Sequence, residues 1–195
     1  MITSVCVFCG SSDGTAPIVQ AAATELGEAL ARRGLTLVYG GGNTGLMGRV
    51  ANGALAAGGT VVGIIPQALI TRENQHLQLT ETHIVDSMHE RKAMMSDRAE
   101  GYIALPGGFG TFEELFEIIT WAQLGIHNKP IIVYNLAGYY DPLLQMVASA
   151  AAQGFIRPTE STLFNVADRL ADVFDHLENF APRIQTRQWL KPNQI

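Results

Sequence analysis

Short apolar runs alternate with helix-length stretches from one end of the chain to the other, and glycine or proline follows most of the runs. Val5–Cys9, Leu35–Tyr39, Thr60–Ile65, Thr82–Val85, Tyr102–Leu105, Pro130–Tyr134 and Leu163–Val166 read as strands. Ile18–Arg33 reads as a helix: Ala22, Leu26, Ala29 and Leu30 recur at three- and four-residue spacing, and Gly34 stops it. Leu46–Ala57, a stretch from the Asp86 or Ser87 cap to about Glu100, Thr111–Leu124, Asp141–Gln153 and Ala167–Leu177 supply the other helices. Gln67–Thr80 is polar and reads as a long surface loop, the best place for a lid. This order predicts an α/β fold of a single domain, with a doubly wound, mostly parallel sheet and helices on both faces. The predicted domain spans 1–182. The remainder, 183–195, follows Pro182, contains Pro192 and is expected to be a loosely held tail.

Such sheets bind ligands at the carboxyl ends of their strands, near the point where strand order reverses. Composition limits the ligand. At 195 residues and 47% hydrophobic the chain can build a full core. Its net charge of −5 gives no general attraction for nucleic acid or an anionic membrane, so any phosphate must be held by local geometry. Met1–Ser4 has no basic residue, and no secretory signal is read there. Val50–Thr71 lacks charge but is broken by Gly58, Gly59, Gly63 and Pro66, so it reads as a buried helix, turn and strand rather than a membrane span. Cys6 and Cys9 are three apart on a strand and point to opposite faces, which predicts two buried thiols and a reducing, cytoplasmic home.

Two glycine-rich turns carry the first chemical signals. Gly40-Gly41-Gly42-Asn43-Thr44-Gly45-Leu46-Met47-Gly48 lies between a strand and a helix, the setting of a phosphate-binding turn. It follows the second strand rather than the first, no acidic residue ends the next strand, and Leu46 stands where a P-loop has lysine. A turn with nucleotide contact and a turn alone both remain open. The second string is Pro106-Gly107-Gly108-Phe109-Gly110-Thr111-Phe112-Glu113-Glu114. Its strand runs through glycines into a helix N-terminus, where free N–H groups and the helix dipole favour an anion. Thr111 reads as the N-cap with Glu114 three residues on, so a capping box is the competing explanation.

Glu113 and Glu114 point about 100° apart on a helix, so only one faces the crevice easily. Glu114 precedes Ile118 by one turn and is expected to be partly buried beside the anion. Both conditions raise a carboxyl pKa and suit acid–base work. A third string, Met88-His89-Glu90-Arg91-Lys92, opens the preceding helix, and its arginine could clamp a phosphate. The histidines at 76, 83, 89, 127 and 176 have no metal-ligand spacing, and no serine lies in a GxSxG elbow.

Together the three strings resemble the Lonely Guy (LOG) family of cytokinin riboside 5′-monophosphate phosphoribohydrolases. The likeness extends to Trp121-Ala122-Gln123-Leu124-Gly125 and Gly138-Tyr139-Tyr140 and covers about Val5 to Ala152. The resemblance implies a Rossmann-like homodimer with sites near the subunit interface. It implies hydrolysis of the N-glycosidic bond of an N6-substituted adenosine monophosphate, giving free base and ribose 5-phosphate, without metal or other cofactor. Arg91 and Glu114 match the family's catalytic pair. Glu73, Met88, Lys92, Gly108, Phe109, Gly110, Thr111, Phe112, Glu113 and Thr120 match substrate-contacting positions, with Gly42 and Gly45 as further candidates. Thr120 lies on a different helix face from Glu114 and would act across the dimer. Two alternatives stand beside this: salvage of plain AMP, and a non-catalytic nucleotide or molybdopterin-type carrier. The label lysine decarboxylase, often attached to such sequences, gains little from Lys92 and Lys129.

Overall fold

The computed structural model describes residues 2–71, 74–160 and 162–182. Seven parallel strands form one sheet: β1 (Ser4–Phe8), β2 (Thr36–Tyr39), β3 (Val61–Pro66), β4 (Glu81–Val85), β5 (Tyr102–Ala104), β6 (Ile131–Tyr134) and β7 (Asn165–Ala167). Their spatial order is β4-β3-β2-β1-β5-β6-β7. The chain winds outward from β1 to β4, returns to lay β5 beside β1, and winds outward again. The reversal therefore falls between β1 and β5, where Cys6 is in register with both Val38 and Tyr102.

Among the described residues there are six α-helices, five between strands and the last after β7: α1 (Pro17–Arg32), α2 (Gly45–Ala56), α3 (Met88–Asp97), α4 (Phe109–Leu124), α5 (Asp141–Ala152) and α6 (Leu170–Glu178). Side-chain alternation splits the core into two layers. Val5, Val7, Leu37, Tyr39, Val61 and Ile103 point toward α1, α2 and α6. Cys6, Phe8, Val38, Val62, Ile64 and Tyr102 point toward α3 and α4. Each fully buried leucine of α1, Leu26 and Leu30, contributes about 1.5–3 kcal/mol by leaving water. Cys6 and Cys9 are free, buried and on opposite faces, as their spacing requires. The doubly wound α/β architecture is thus the one the apolar pattern predicts.

Several boundaries moved, most clearly near the end of the domain. The last strand is Asn165–Ala167 and the last helix starts at Leu170. Leu163 packs into the core before pairing with β6 begins at Asn165. Glu73 and the tail 183–195 lie outside the described residues. No helix among the described residues is long and apolar enough to cross a membrane.

Candidate active site

The reversal point places three loop ends together at the carboxyl edge of the sheet. Gly10 follows β1, and its N–H donates to Pro106 O after β5 at 3.1 Å. Met47 N–H of α2 donates back to Gly10 O at 3.3 Å. Between these loops and α3 lies a cavity of about 230 Å³. Its walls are the β1 exit (Cys9, Gly10, Ser11), Gly40, the start of α4 (Gly108, Phe109, Gly110, Thr111) and the inward residues Arg91 and Glu114.

α4 starts earlier than the sequence suggests. Its first residue is Phe109, its N-cap is Gly108, and no side chain caps it. Thr111 is inside the first turn and buried, so the Thr111–Glu114 capping box does not exist. The N-cap preference of threonine loses to a glycine turn that brings the backbone in two residues sooner. The consequence is chemical. The early N–H groups of α4 have no intrahelical acceptor and open toward the cavity, with the positive end of the helix dipole behind them. An oxyanion such as a phosphate fits there.

Arg91 is only 4% exposed, and backbone carbonyls of two strand ends hold its guanidinium. Nε donates to Ile64 O of β3 at 3.1 Å, and Nη2 donates to Gly40 O after β2 at 2.7 Å. Nη1 lies 3.8 Å from Met88 Sδ. A Cβ on Gly40 would overlap Nη2 and lie 3.0 Å from Cζ. The first glycine-rich turn is therefore a cradle for an arginine. Its Gly40 lines the cavity, whereas Gly42, paired with Gln75, and Gly45, set against the backbone of Ser11 and Ser12, are not among the lining residues.

Glu114 is half-buried on α4 and forms the opposite wall. Burial first, and the Glu114 charge second, push the Cys9 thiol far up, so Cys9 is a protonated, inert wall. Glu113 also reaches the cavity rim, contrary to the expectation that only one of the two carboxylates would. It is exposed there and bound to Lys92, whose Nζ is 2.5 Å from Glu113 and 2.8 Å from Glu117. Lys92 thus points to the α3–α4 seam while Arg91, one residue earlier, points into the cavity. Met88 lines the cavity. Phe112 stacks on Tyr139, whose hydroxyl donates to Gly107 O. Thr120 is exposed, its hydroxyl bonded to Phe116 O at 2.7 Å, and faces away from the cavity.

Sequence reasoning missed Gly10, Ser11, Gly40, Leu69 and Met47 as wall residues. Gly10 and Ser11 were findable, since they follow the strand next to the reversal point. A larger hollow of about 670 Å³ lies between α3 and α4 but contains neither Arg91 nor Glu114. Among the described residues no cluster of His, Cys, Asp and Glu could hold a metal ion.

A helix N-terminus, a backbone-held arginine and a facing carboxylate thus meet in one cavity at the strand reversal of an α/β sheet. A family model described as "Possible lysine decarboxylase" matches residues 47–177. A probable cytokinin riboside 5′-monophosphate phosphoribohydrolase of Oryza sativa is 47% identical over 92% of this chain and 73% of its own length. An Arabidopsis thaliana enzyme named cytokinin riboside 5′-monophosphate phosphoribohydrolase is 47% identical over 91% of this chain and 83% of its own. The chain belongs to this family of phosphoribohydrolases, which are N-glycosyl hydrolases. Among solved structures, the molybdenum cofactor binding protein of Rippkaea orientalis superposes with a TM-score of 0.69 at 21% identity, covering 91% of this chain and 96% of its own. That likeness is one of fold.

The decarboxylase label implies pyridoxal phosphate, which needs a lysine for its Schiff base. Lys92 Nζ is held by two carboxylates, and Lys129 Nζ donates to Ser96 O at 2.7 Å. Neither lines the cavity of Arg91 and Glu114. These residues do not fit that cofactor.

Proposed function

We propose that this protein hydrolyses the N-glycosidic bond of N6-substituted adenosine 5′-monophosphates, releasing the base and ribose 5-phosphate. The observation that carries the reading is that Arg91 and Glu114 share one cavity with the N-terminus of α4. The 5′-phosphate rests on the N–H groups of Gly108 to Thr111. This puts the sugar beneath Glu114. Cleavage builds positive charge on the ribose, which the Glu114 carboxylate stabilises while it accepts a proton from the attacking water. The bond between C1′ and the base nitrogen breaks, and its electron pair leaves with the base. Arg91 stabilises developing negative charge from a fixed position that costs no reorganisation.

The active unit is a homodimer. At about 230 Å³ the cavity is below the range of roughly 300–1,000 Å³ that encloses a small-molecule ligand, so a further wall is called for. α5 is apolar yet buries none of its residues in the single chain, and Met146 and Phe155 are 55% and 80% exposed. Such a face suits a second copy. Thr120, exposed on α4 and turned from its own cavity, then serves the neighbouring site.

The test is base release by chromatography from isopentenyladenosine monophosphate, its riboside and AMP. Release from the first and not from the riboside supports a phosphoribohydrolase that reads the 5′-phosphate. Equal or faster release from AMP assigns the protein to salvage. Bound AMP with no release from any of them overturns the catalytic reading in favour of a carrier.

A further inference from the structure

His76 is a titratable group that the proposed chemistry does not use, and it is 2% exposed. Both its ring nitrogens are engaged. Nδ1 accepts the Gln78 N–H at 3.2 Å, so the ring proton is on Nε2, which donates to Asn52 Oδ1 of α2 at 3.1 Å. Its backbone N–H donates to Gly41 O at 3.0 Å. One residue therefore joins three pieces: α2, the glycine turn next to the Arg91 cradle, and the segment 67–80.

That segment forms part of the cavity. Leu69 is a wall residue, contributed by the single helical turn Gln67–Leu69 after β3. Beyond it the backbone closes on itself, with Gln75 N–H bonded to Ile70 O at 3.0 Å and Asn43 N–H bonded to Asn74 O at 2.9 Å. Asn74 has a left-handed φ of 49°, a turn conformation that asparagine tolerates. Among the described residues no salt bridge joins the segment to the rest of the protein. Its polar side-chain anchors are His76 and, at the far end, Thr80 Oγ1, which accepts Val61 N–H at 3.0 Å, while Leu79 packs on the core beside Gly63.

We infer that His76, through Asn52, is a positioning residue that latches the described residues 67–71 and 74–80, whose Leu69 is part of the wall of the nucleotide cavity. The latch acts on binding rather than on chemistry, because Arg91 and Glu114 are on α3 and α4. Only a neutral imidazole can make both contacts, since a second ring proton would face the Gln78 N–H. The inference rests on the nucleotide reading above.

The experiment measures the dissociation constant of AMP by calorimetry, and KM and kcat for isopentenyladenosine monophosphate, in His76→Phe, Asn52→Ala and Asn52→Asp. Asn52 lies outside the cavity, so it tests the latch without touching ligand. Loss of one hydrogen bond of ordinary strength predicts a rise of about 3- to 10-fold in both the AMP constant and KM for Asn52→Ala. Asn52→Asp, which keeps the acceptor, stays within about twofold of the parent. His76→Phe weakens binding by about 10-fold or more, and kcat changes by less than about threefold in all three variants. Unchanged AMP affinity in both His76→Phe and Asn52→Ala overturns the latch. So does an Asn52→Asp variant as impaired as Asn52→Ala, or a loss confined to kcat. AMP binding reads the latch even if the parent protein turns out not to hydrolyse, so the two failures are separable.

Discussion

Gly40→Ala is a one-carbon change whose effect can be worked from the site. Gly40 does not have a left-handed φ, so alanine brings no backbone strain. What it brings is a methyl group in the space of Arg91 Nη2. The guanidinium must leave its cradle and give up the bonds to Gly40 O and Ile64 O. Each such charged hydrogen bond contributes about 1.5–3 kcal/mol, so the old position is not recoverable by small relaxation. A displacement near 1 Å of a positioned group costs roughly 10²-fold in rate, and removal of one oxyanion donor about 10²–10³-fold. kcat/KM for base release is therefore expected to fall by about 10²- to 10³-fold. Loss of both bonds, about 3–6 kcal/mol, should also lower the melting temperature by about 6 °C or more. The decisive arm is the double variant. On an Arg91→Ala background, Gly40→Ala should cost less than about threefold further, because the arginine it displaces is gone. Additive losses, or a Gly40→Ala enzyme with parental kcat/KM, would refute the cradle.

Glu114→Gln should lower kcat by about 10²- to 10⁴-fold with little change in KM or melting temperature, since Glu114 takes no part in capping α4. Lys92→Gln leaves Glu113 and Glu117 without their shared cation and should lower the melting temperature by about 3–6 °C, for a loss near 1–2 kcal/mol. Phe155→Asp should elute as a monomer in size-exclusion chromatography and lose turnover with it; a variant of unchanged elution volume rules this face out of the interface. Burial holds the His76 pKa below its ordinary 6.5, so the unfolded chain takes up the proton more readily. The stability from this group is present above about pH 6.5 and declines as the pH falls below it, and denaturant titrations of the parent and His76→Phe at pH 7.5 and 5.5 should show a flatter dependence in the variant.

The sheet was legible because its five inner strands are buried on both faces, so they stand out as apolar runs such as Val61–Ile65, while the edge strands β4 and β7 are partly exposed. The helix pattern of α1 was equally plain. The site was legible in part. Arg91 and Glu114 could be nominated by motif, and the N-terminus of α4 by its glycines. What escaped was everything set by closure in three dimensions. Nothing local tells that α3 crosses the ends of β2 and β3 and gives its arginine to their carbonyls. A glycine triplet before a helix looks like a phosphate turn whether it meets phosphate or guanidinium, since both uses need a bare Cα. Thr111 misled for a related reason. Its own preference for capping was read locally, while the true start of α4 was set by Gly108 and the packing of Gly107 against Gly10. Leu69 could not be placed from sequence because its position depends on contacts made several residues later.

The proposed catalytic pair straddles the strand reversal. Arg91 is fastened to β2 and β3, in the half of the chain that ends at Glu100, while Glu114 hangs from β5 in the half that begins at Gly101. Neither half contains a site, and the seam between them is the β1–β5 pairing. Two polypeptides divided between Glu100 and Gly101 would each be inert alone. Their reassembly through that pairing would restore turnover, so base release would serve as a split-protein reporter of the docking of one half-sheet on the other.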